Sequence, residues 1–134
     1  RGPGVLLHGD LSADQAVRDD RGGVRLIDLD RLAVGPAGCD LGGFAAVELI
    51  RGRGTRAAEA LVDAYEGRVD VDAVTDAALG AWTAYHLLLR VAEPFRALAP
   101  EFREQGAARI ERANAVLTDG WGAGEWGADG SVTW

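Results

Sequence analysis

The sequence has 134 residues, 48% of them hydrophobic, and a formal net charge of −7. It is long enough for one domain with a substantial core and too acidic to favour a nucleic-acid backbone as partner. It has no stretch approaching the roughly 18 apolar residues of a membrane span and no signal-peptide pattern. Its single cysteine, Cys39, excludes an internal disulfide. We therefore expect a cytoplasmic protein.

Two apolar runs near the start of the chain end in carboxylates. The first, residues 5–7, predicts a short strand and ends in His8-Gly9-Asp10; the second ends in Ile27-Asp28-Leu29-Asp30. The two-residue period of a strand puts Asp28 and Asp30 on one face. Carboxylates are seldom buried unless they are paired or coordinate a metal. The second run therefore indicates a site for a hard divalent cation, which prefers oxygen ligands.

A hairpin is predicted between these two runs. Residues 16–19 and 24–28 flank the loop from Asp20 to Gly23, and a glycine-containing loop of this length is typical of an antiparallel turn. With these four residues as the loop, Gln15 falls opposite Asp28, and directly opposed side chains have Cβ atoms about 5 Å apart. A two-residue turn at Gly22-Gly23 would shift this register.

The rest of the chain predicts a loop over residues 31–38 and then four helices. Asp40 is a candidate N-cap for the first helix and Thr55 for the second. Asp70 or Asp72 is the candidate for the third, which Pro94 should end or bend. The helices are expected over residues 41–50, from Thr55 to Gly67, over 71–95 and over 101–117. Residues 119–134 are rich in Gly and Trp, have no period, and predict a loosely ordered tail.

Helical spacing predicts which side chains are buried. His86 falls within the apolar pattern of the third helix, so we interpret it as a core histidine rather than a general base. Cys39 is interpreted as a small buried residue rather than a nucleophile. The predicted buried stripes are Ala58, Leu61, Val62 and Tyr65; Val74, Ala78, Ala81, Trp82, Tyr85, Leu88 and Leu89; and Phe102, Ile110, Ala113 and Leu117.

Three short motifs, in order, resemble those of the aminoglycoside phosphotransferase and choline kinase-like family, which shares its catalytic half with the protein kinases. That family has a His-Gly-Asp-(four residues)-Asn catalytic loop, an Ile-Asp-x-(Asp/Glu) metal loop, and an Asp-Leu-(Gly/Ala) at a helix start. The corresponding residues here are 8–15, 27–30 and 40–42. Three motifs at short spacings are far more specific than a lone His-Gly-Asp.

The resemblance implies a role for each matched residue. Asp10 corresponds to the catalytic aspartate that accepts or orients the proton of a substrate hydroxyl, and Asp28 to the aspartate that binds Mg²⁺ on the phosphates of ATP. Gln15 stands where the family usually has asparagine as second metal ligand. It keeps the amide oxygen but adds a methylene group. His8 and Asp40 match residues that brace the loop, and Asp30 is an additional carboxylate.

The resemblance also implies that a lobe precedes these motifs. All fourteen basic residues are arginine, so nothing here supplies the lysine that holds the α- and β-phosphates of ATP in kinases. We therefore interpret residues 1–118 as an α+β, kinase-like carboxy-terminal lobe, with a short strand and a hairpin packed on about four helices, and 119–134 as a tail. The expected partners are the missing amino-terminal lobe, or a second copy through an exposed apolar face.

Three functions remain open at this point. The first is an ATP- and Mg²⁺-dependent transfer of phosphate to a small-molecule hydroxyl; the net charge would suit a cationic substrate, although solubility alone explains it equally well. The second is a catalytically silent binding module with the same fold. The third is a metal-dependent hydrolase using Asp10, Asp28 and Asp30, which ranks last because the sequence lacks a larger ligand cluster.

Overall fold

Four three-residue strands and five helices make up the part of the chain that the computed structural model describes, residues 4–66 and 74–121. The mixed α+β architecture is confirmed over these residues. The strands are β1 (Val5–Leu7), β2 (Ala16–Arg18), β3 (Val24–Leu26) and β4 (Ala33–Gly35). The helices are α1 (Gly38–Ile50), α2 (Arg56–Glu66), α3 (Asp76–Leu89), the one-turn α4 (Glu93–Arg96) and α5 (Phe102–Asp119).

The first small sheet joins β1 to β4. The two strands are antiparallel, with Val5 opposite Gly35, Leu6 opposite Val34 and Leu7 opposite Ala33. The prediction of a loop over residues 31–38 is therefore wrong at its centre. An Ala-Val-Gly segment has one strand-forming residue and carries little local signal. It becomes a strand because β1 supplies the hydrogen-bonding partner.

The second sheet is the predicted hairpin, shifted by one residue from the predicted register. Ala16 lies opposite Leu26 and Arg18 opposite Val24, so the loop has five residues and begins at Asp19. The Asp19 carboxylate accepts hydrogen bonds from the backbone N–H groups of Arg21 (3.0 Å) and Gly23 (2.8 Å). This side-chain cap favours the longer loop and moves every later pair by one position.

The core lies where α1, α3 and α5 pack together. Each helix contributes one alanine and one larger aliphatic residue, and the alanines let the helix backbones approach closely. Such packing is sensitive to a change of a single methyl group. The buried cluster consists of Ala46, Leu49, Ala84, Leu87, Ala113 and Val116.

The third helix is shorter than its apolar pattern predicts. It begins at Asp76, after Thr75, whose hydroxyl accepts a hydrogen bond from the Ala78 N–H at 3.2 Å. The candidate caps Asp70 and Asp72 lie outside the described residues. The helix ends at Leu89, and Pro94 lies in the first turn of α4 instead of ending α3. Proline is well tolerated there because the first helical N–H groups have no partner within the helix.

The predicted buried faces of α3 and α5 are largely wrong. On α3 the predicted Tyr85, Leu88 and Leu89 are exposed. On α5 Ile110 and Leu117 are exposed, whereas Ala113 is buried as predicted. These helices bury a different set of residues, small ones together with Leu79, Leu87 and Arg109. The buried residues are Leu79, Gly80, Thr83, Ala84 and Leu87 on α3, and Gly106, Arg109, Ala113, Ala115 and Val116 on α5.

The remaining predictions concern α2, the carboxy-terminal end of the chain and membrane spans. A helix after Thr55 is confirmed, with Ala58 buried; the predicted stop at Gly67 lies outside the described residues. Asp119 still belongs to α5, and most of the predicted tail, residues 122–134, is likewise not described. Among the described helices, none is both long and apolar enough to cross a membrane.

The crossing of α1 and α3 yields a stability prediction. A Cβ built on Gly42 would lie 2.8 Å from the Thr83 backbone nitrogen and 2.6 Å from the Trp82 Cβ. A Cβ on Gly80 would meet its nearest neighbour, the Val116 carbonyl oxygen, at an ordinary 3.5 Å. We expect Gly42→Ala to lower the free energy of unfolding by about 1–3 kcal/mol through overpacking.

Gly80→Ala is the matched control, because it also replaces a buried helical glycine. There we expect no loss, or a gain of up to about 1 kcal/mol from helix propensity. Urea denaturation followed by circular dichroism measures both values. Equal effects of the two substitutions would show that the close α1–α3 contact does not limit the side chain at position 42.

Candidate active site

The Asp40 carboxylate holds the loop that follows β1. Its Oδ2 accepts a hydrogen bond from the His8 N–H at 2.6 Å, and its Oδ1 accepts one from the Gly9 N–H at 3.0 Å. The prediction that Asp40 is the N-cap of the first helix is wrong, because α1 begins at Gly38 with Ala37 at the N-cap. Bonding the two loop N–H groups directs this carboxylate away from its own helix and ties α1 to the loop.

The middle residue of the loop has to be glycine. Gly9 has φ +85°, in the left-handed region that side chains disfavour. A Cβ there would also collide with the Arg31 carbonyl group. The chain therefore passes directly against the segment that follows Asp28, and it can do so only without a side chain.

His8 connects the two predicted motif loops. Its ring is buried, and its Nε2 lies 2.8 Å from the Ile27 carbonyl oxygen. A carbonyl only accepts, so Nε2 carries the proton and donates it to this bond. Asp10 lies two residues after His8, and Asp28 directly follows Ile27. The His8–Ile27 bond therefore brings the segments that carry the two carboxylates to the same end of the molecule.

The Asp10 carboxylate makes two ion pairs of different character. Its Oδ1 lies 3.2 Å from Nη2 of Arg90, at the end of α3, and its Oδ2 lies 3.4 Å from Nη1 of Arg31. The Arg90 side chain is only 15% exposed, whereas the Arg31 side chain is 66% exposed. One oxygen is thus held by a largely buried cation and the other by an exposed side chain, which binds it weakly.

Asp28 and Asp30 are exposed, which differs from the expected burial. The strand β3 ends at Leu26, and Asp28 takes a left-handed conformation (φ 63°, ψ 54°) that starts a 3₁₀ turn over Leu29–Arg31. The two-residue alternation therefore stops before either aspartate. Within the described ranges, neither carboxylate has a side-chain hydrogen bond or ion pair.

Gln15 does not lie opposite Asp28, because the hairpin is shifted by one residue. Its backbone carbonyl instead accepts the Ile27 N–H at 3.0 Å. Its amide Oε1 accepts a hydrogen bond from the hydroxyl of Ser12, which is buried. The Ser12 bond holds the Gln15 amide beside the loop that carries Asp10.

These donors fit one kind of magnesium site. Among residues 4–66 and 74–121 there is no group of three or more His, Cys, Asp or Glu that could hold a metal ion. Mg²⁺ on a nucleotide typically takes one or two carboxylates and completes its shell with phosphate oxygens and waters. The unpaired, accessible Asp28 carboxylate suits that arrangement.

His86 and Cys39 lie behind Asp10, between α3 and α1. The His86 Nε2 is 3.7 Å from the Cys39 Sγ, and its Nδ1 is 3.2 Å from Nη1 of Arg90. Burial, and secondarily the Arg90 cation, lowers the pKa of His86 below its ordinary 6.5. Burial and the nearby Asp40 carboxylate raise the pKa of Cys39. Both groups are neutral at pH 7, so Cys39 is not an activated thiolate.

Arg90 is the residue of this site that was hardest to predict from the sequence. It lies 80 positions after Asp10 and within an apolar helical pattern, and no motif links the two. Arg31 and Ser12 were missed as well, although both lie inside the motif segments. A single sequence does not indicate which of fourteen arginines meets a given carboxylate, because the pairing depends on how the helices pack.

Comparison with known proteins identifies one family for this chain. Residues 1–76, more than half of the chain, match the model of the family described as "Phosphotransferase enzyme family". No curated protein and no solved structure gives a significant match. The matched range includes the His8–Asp10 loop, the Ile27–Asp30 loop and Asp40. The chain therefore belongs to the phosphotransferase enzyme family, in agreement with its resemblance to the aminoglycoside phosphotransferases and choline kinases.

Proposed function

We propose that this chain is the catalytic lobe of an ATP- and Mg²⁺-dependent phosphotransferase that acts on a small-molecule hydroxyl. One observation carries the proposal: the three motifs are hydrogen-bonded to one another. Asp40 holds the His8 and Gly9 N–H groups, and the His8 ring holds the Ile27 carbonyl. These hydrogen bonds fix two loops that carry carboxylates, and the Asp28 carboxylate is exposed.

Asp10 is the proposed catalytic residue. Its accessible Oδ2 accepts a hydrogen bond from the substrate hydroxyl and orients the hydroxyl oxygen toward the γ-phosphorus. As the new O–P bond forms and the bond to the leaving ADP breaks, the hydroxyl proton passes to Asp10. Such chemistry depends mainly on positioning, so the rigid support of the His8–Asp10 loop is the main contribution of the protein.

Asp28 is the proposed metal ligand, assisted by the Gln15 amide oxygen. Bound Mg²⁺ would neutralise charge on the transferred phosphate. Asp30 follows in the 3₁₀ turn and is a second carboxylate at the same loop. His8 and Asp40 do not meet the substrate in this proposal; they hold the loops.

The proposed lobe is incomplete for catalysis. The sequence contains no lysine to hold the α- and β-phosphates, so an amino-terminal nucleotide lobe has to supply it. A cytoplasmic location belongs to the same proposal, since ATP is the donor and the single cysteine suits a reducing compartment. A small cationic substrate would suit the net charge of −7.

A catalytically silent binding module is the second candidate. Two features favour it: Gln15 replaces the usual asparagine, and both oxygens of Asp10 already pair with arginines. The unpaired Asp28 carboxylate favours the enzyme instead, because a silent module has no need of it. Phosphate transfer that is lost on Asp10→Asn distinguishes the two.

We predict that the 134-residue chain alone does not turn over ATP and binds Mg²⁺-ATP no more tightly than millimolar, about −4 kcal/mol. Without a nucleotide lobe the γ-phosphate is not held in line, and positioning can supply about 7–11 kcal/mol of a barrier. Calorimetric titration with Mg²⁺-ATP measures the binding. A phosphate-transfer assay with aminoglycosides, choline and simple sugars measures the turnover.

Adding a nucleotide lobe of the same family is the matched positive condition. Transfer should then appear, and Asp10→Asn should reduce it by about 100-fold to 10,000-fold. Micromolar binding by the chain alone, or turnover that Asp10→Asn abolishes, would show that it is a self-sufficient kinase. Transfer unaffected by Asp10→Asn would exclude Asp10 as the catalytic residue.

We predict that a divalent ion binds at Asp28 and lies near both Gln15 and Asp10. Mn²⁺, added as a paramagnetic substitute for Mg²⁺ in the presence of ATP, should broaden the amide signals of these three residues first. Asp28→Asn should remove the effect because it neutralises the anionic ligand, and Asp63→Asn, an exposed aspartate of α2, is the control. Broadening at Asp28 without broadening at Asp10 would contradict the proposed shared site.

We predict that the chain self-associates through the outer face of the β1–β4 sheet. Leu6 and Val34 lie opposite each other in this sheet and are 72% and 75% exposed. Leu6→Gln with Val34→Thr should shift sedimentation toward monomer. Leu98→Asn is the control: Leu98 is 85% exposed in another turn and has φ +54°, which asparagine tolerates. A clean monomer of the unsubstituted chain at high concentration would contradict this.

A further inference from the structure

The two oxygens of Asp10 have different surroundings. Oδ1 faces the largely buried guanidinium of Arg90 across 3.2 Å, and Oδ2 faces the exposed Arg31 across 3.4 Å. An exposed ion pair contributes little and opens readily. A substrate hydroxyl can therefore displace Arg31 from Oδ2 at little cost, whereas Oδ1 stays occupied.

Arg90 is itself held by the residues around it. Its Nη1 lies 3.2 Å from Nδ1 of His86, and its Nε lies 3.7 Å from Oε1 of Glu93. The guanidinium of Arg109, another buried side chain, donates to the Arg90 carbonyl and also pairs with Glu93 at 3.0 Å. The position of the Arg90 side chain is thus fixed by α3, α4 and α5 before it reaches Asp10.

We propose that Arg90 is a positioning residue that fixes Oδ1 of Asp10 and thereby presents Oδ2 to the substrate hydroxyl. The proposal rests on the proposed function for its catalytic meaning, but the restraint on Asp10 can be measured without any turnover. Since a misplacement of about 1 Å can cost about 100-fold in rate, a fixed carboxylate rotamer matters for the chemistry.

His86 makes this restraint dependent on pH. Its Nδ1 accepts from Arg90 only while the ring is neutral; a protonated ring would turn an N–H toward another cation. The titratable groups near the ring are Arg90 and Tyr85 on its own helix, Cys39 and Asp40 on α1, and Asp10 on the loop. Burial of the ring, and secondarily Arg90, favours the neutral form and lowers the pKa of His86, while both carboxylates oppose this. The hold on Asp10 should therefore weaken only in acid, below pH 6.5, the ordinary pKa of histidine.

The first test measures the χ1 rotamer of Asp10 in the isotopically labelled 134-residue chain by three-bond couplings to Cγ. At pH 7.5 the unsubstituted chain should show one rotamer. Arg90→Gln should give rotamer-averaged couplings, and Arg90→Lys, which keeps the cation, should restore part of the preference. Arg96→Gln, an exposed arginine of α4, is the matched control. Equal couplings in all four proteins would overturn the proposal.

The second test lowers the pH. On acidification the Asp10 couplings of the unsubstituted chain should become averaged together with protonation of His86, which ¹⁵N shifts of its ring report. His86→Asn keeps an acceptor oxygen near the position of Nδ1 and cannot be protonated, so its couplings should stay unaveraged through the pH range in which His86 is protonated. Averaging at the same pH in both proteins would overturn the role assigned to His86.

The third test adds a nucleotide lobe and measures phosphate transfer. Arg90→Gln should lower kcat by about 10-fold to 100-fold with little change in KM, and Arg90→Lys should recover part of the loss. An unchanged kcat would overturn the positioning role. If the unsubstituted protein transfers no phosphate, the proposed function fails, and the Asp10 couplings alone decide whether Arg90 restrains this carboxylate.

Discussion

The site depends on one carboxylate that binds two backbone N–H groups. Asp40 accepts from His8 and Gly9, and charge-assisted bonds of this kind are shorter and stronger than neutral ones. Through them the first turn of α1, part of the main helical core, determines where the His8–Asp10 loop lies. The small sheets are only three residues long and could not fix this loop alone. The rigidity of the site therefore comes from the helices.

Sequence reasoning succeeded where local chemistry dominates. The hairpin, the strand before His8 and the helices α1 and α2 follow from turn residues, apolar runs and helical period. The motif resemblance identified Asp10, Asp28 and Asp40 as a group, and the family match over residues 1–76 agrees with it. What could not be predicted was the side-chain cap at Asp19, which lengthens the hairpin loop and moves Gln15 from Asp28 to Ile27.

The predictions of the buried helix faces were wrong for a different reason. Helix α3 is apolar on nearly every side, so its period does not distinguish the face that meets α1 from the face left exposed. The contact is decided by where small residues allow backbones to approach, as at Gly42 against Thr83. The Arg90–Asp10 pair depends on the same helix packing. Its two residues lie 80 positions apart in the sequence, and a single sequence carries no signal for such a pair.

The peptide group of Ile27 makes hydrogen bonds on both sides. Its N–H donates to the Gln15 carbonyl, and its C=O accepts from the His8 ring. The Ile27 peptide group therefore links three segments: its own, which precedes Asp28, the one before Asp10 and the one that carries Gln15. Local opening of any of these segments breaks a hydrogen bond to another. Hydrogen exchange of the backbone amides in these three segments should thus proceed as a single cooperative event. A ligand that orders one loop would slow exchange in all three.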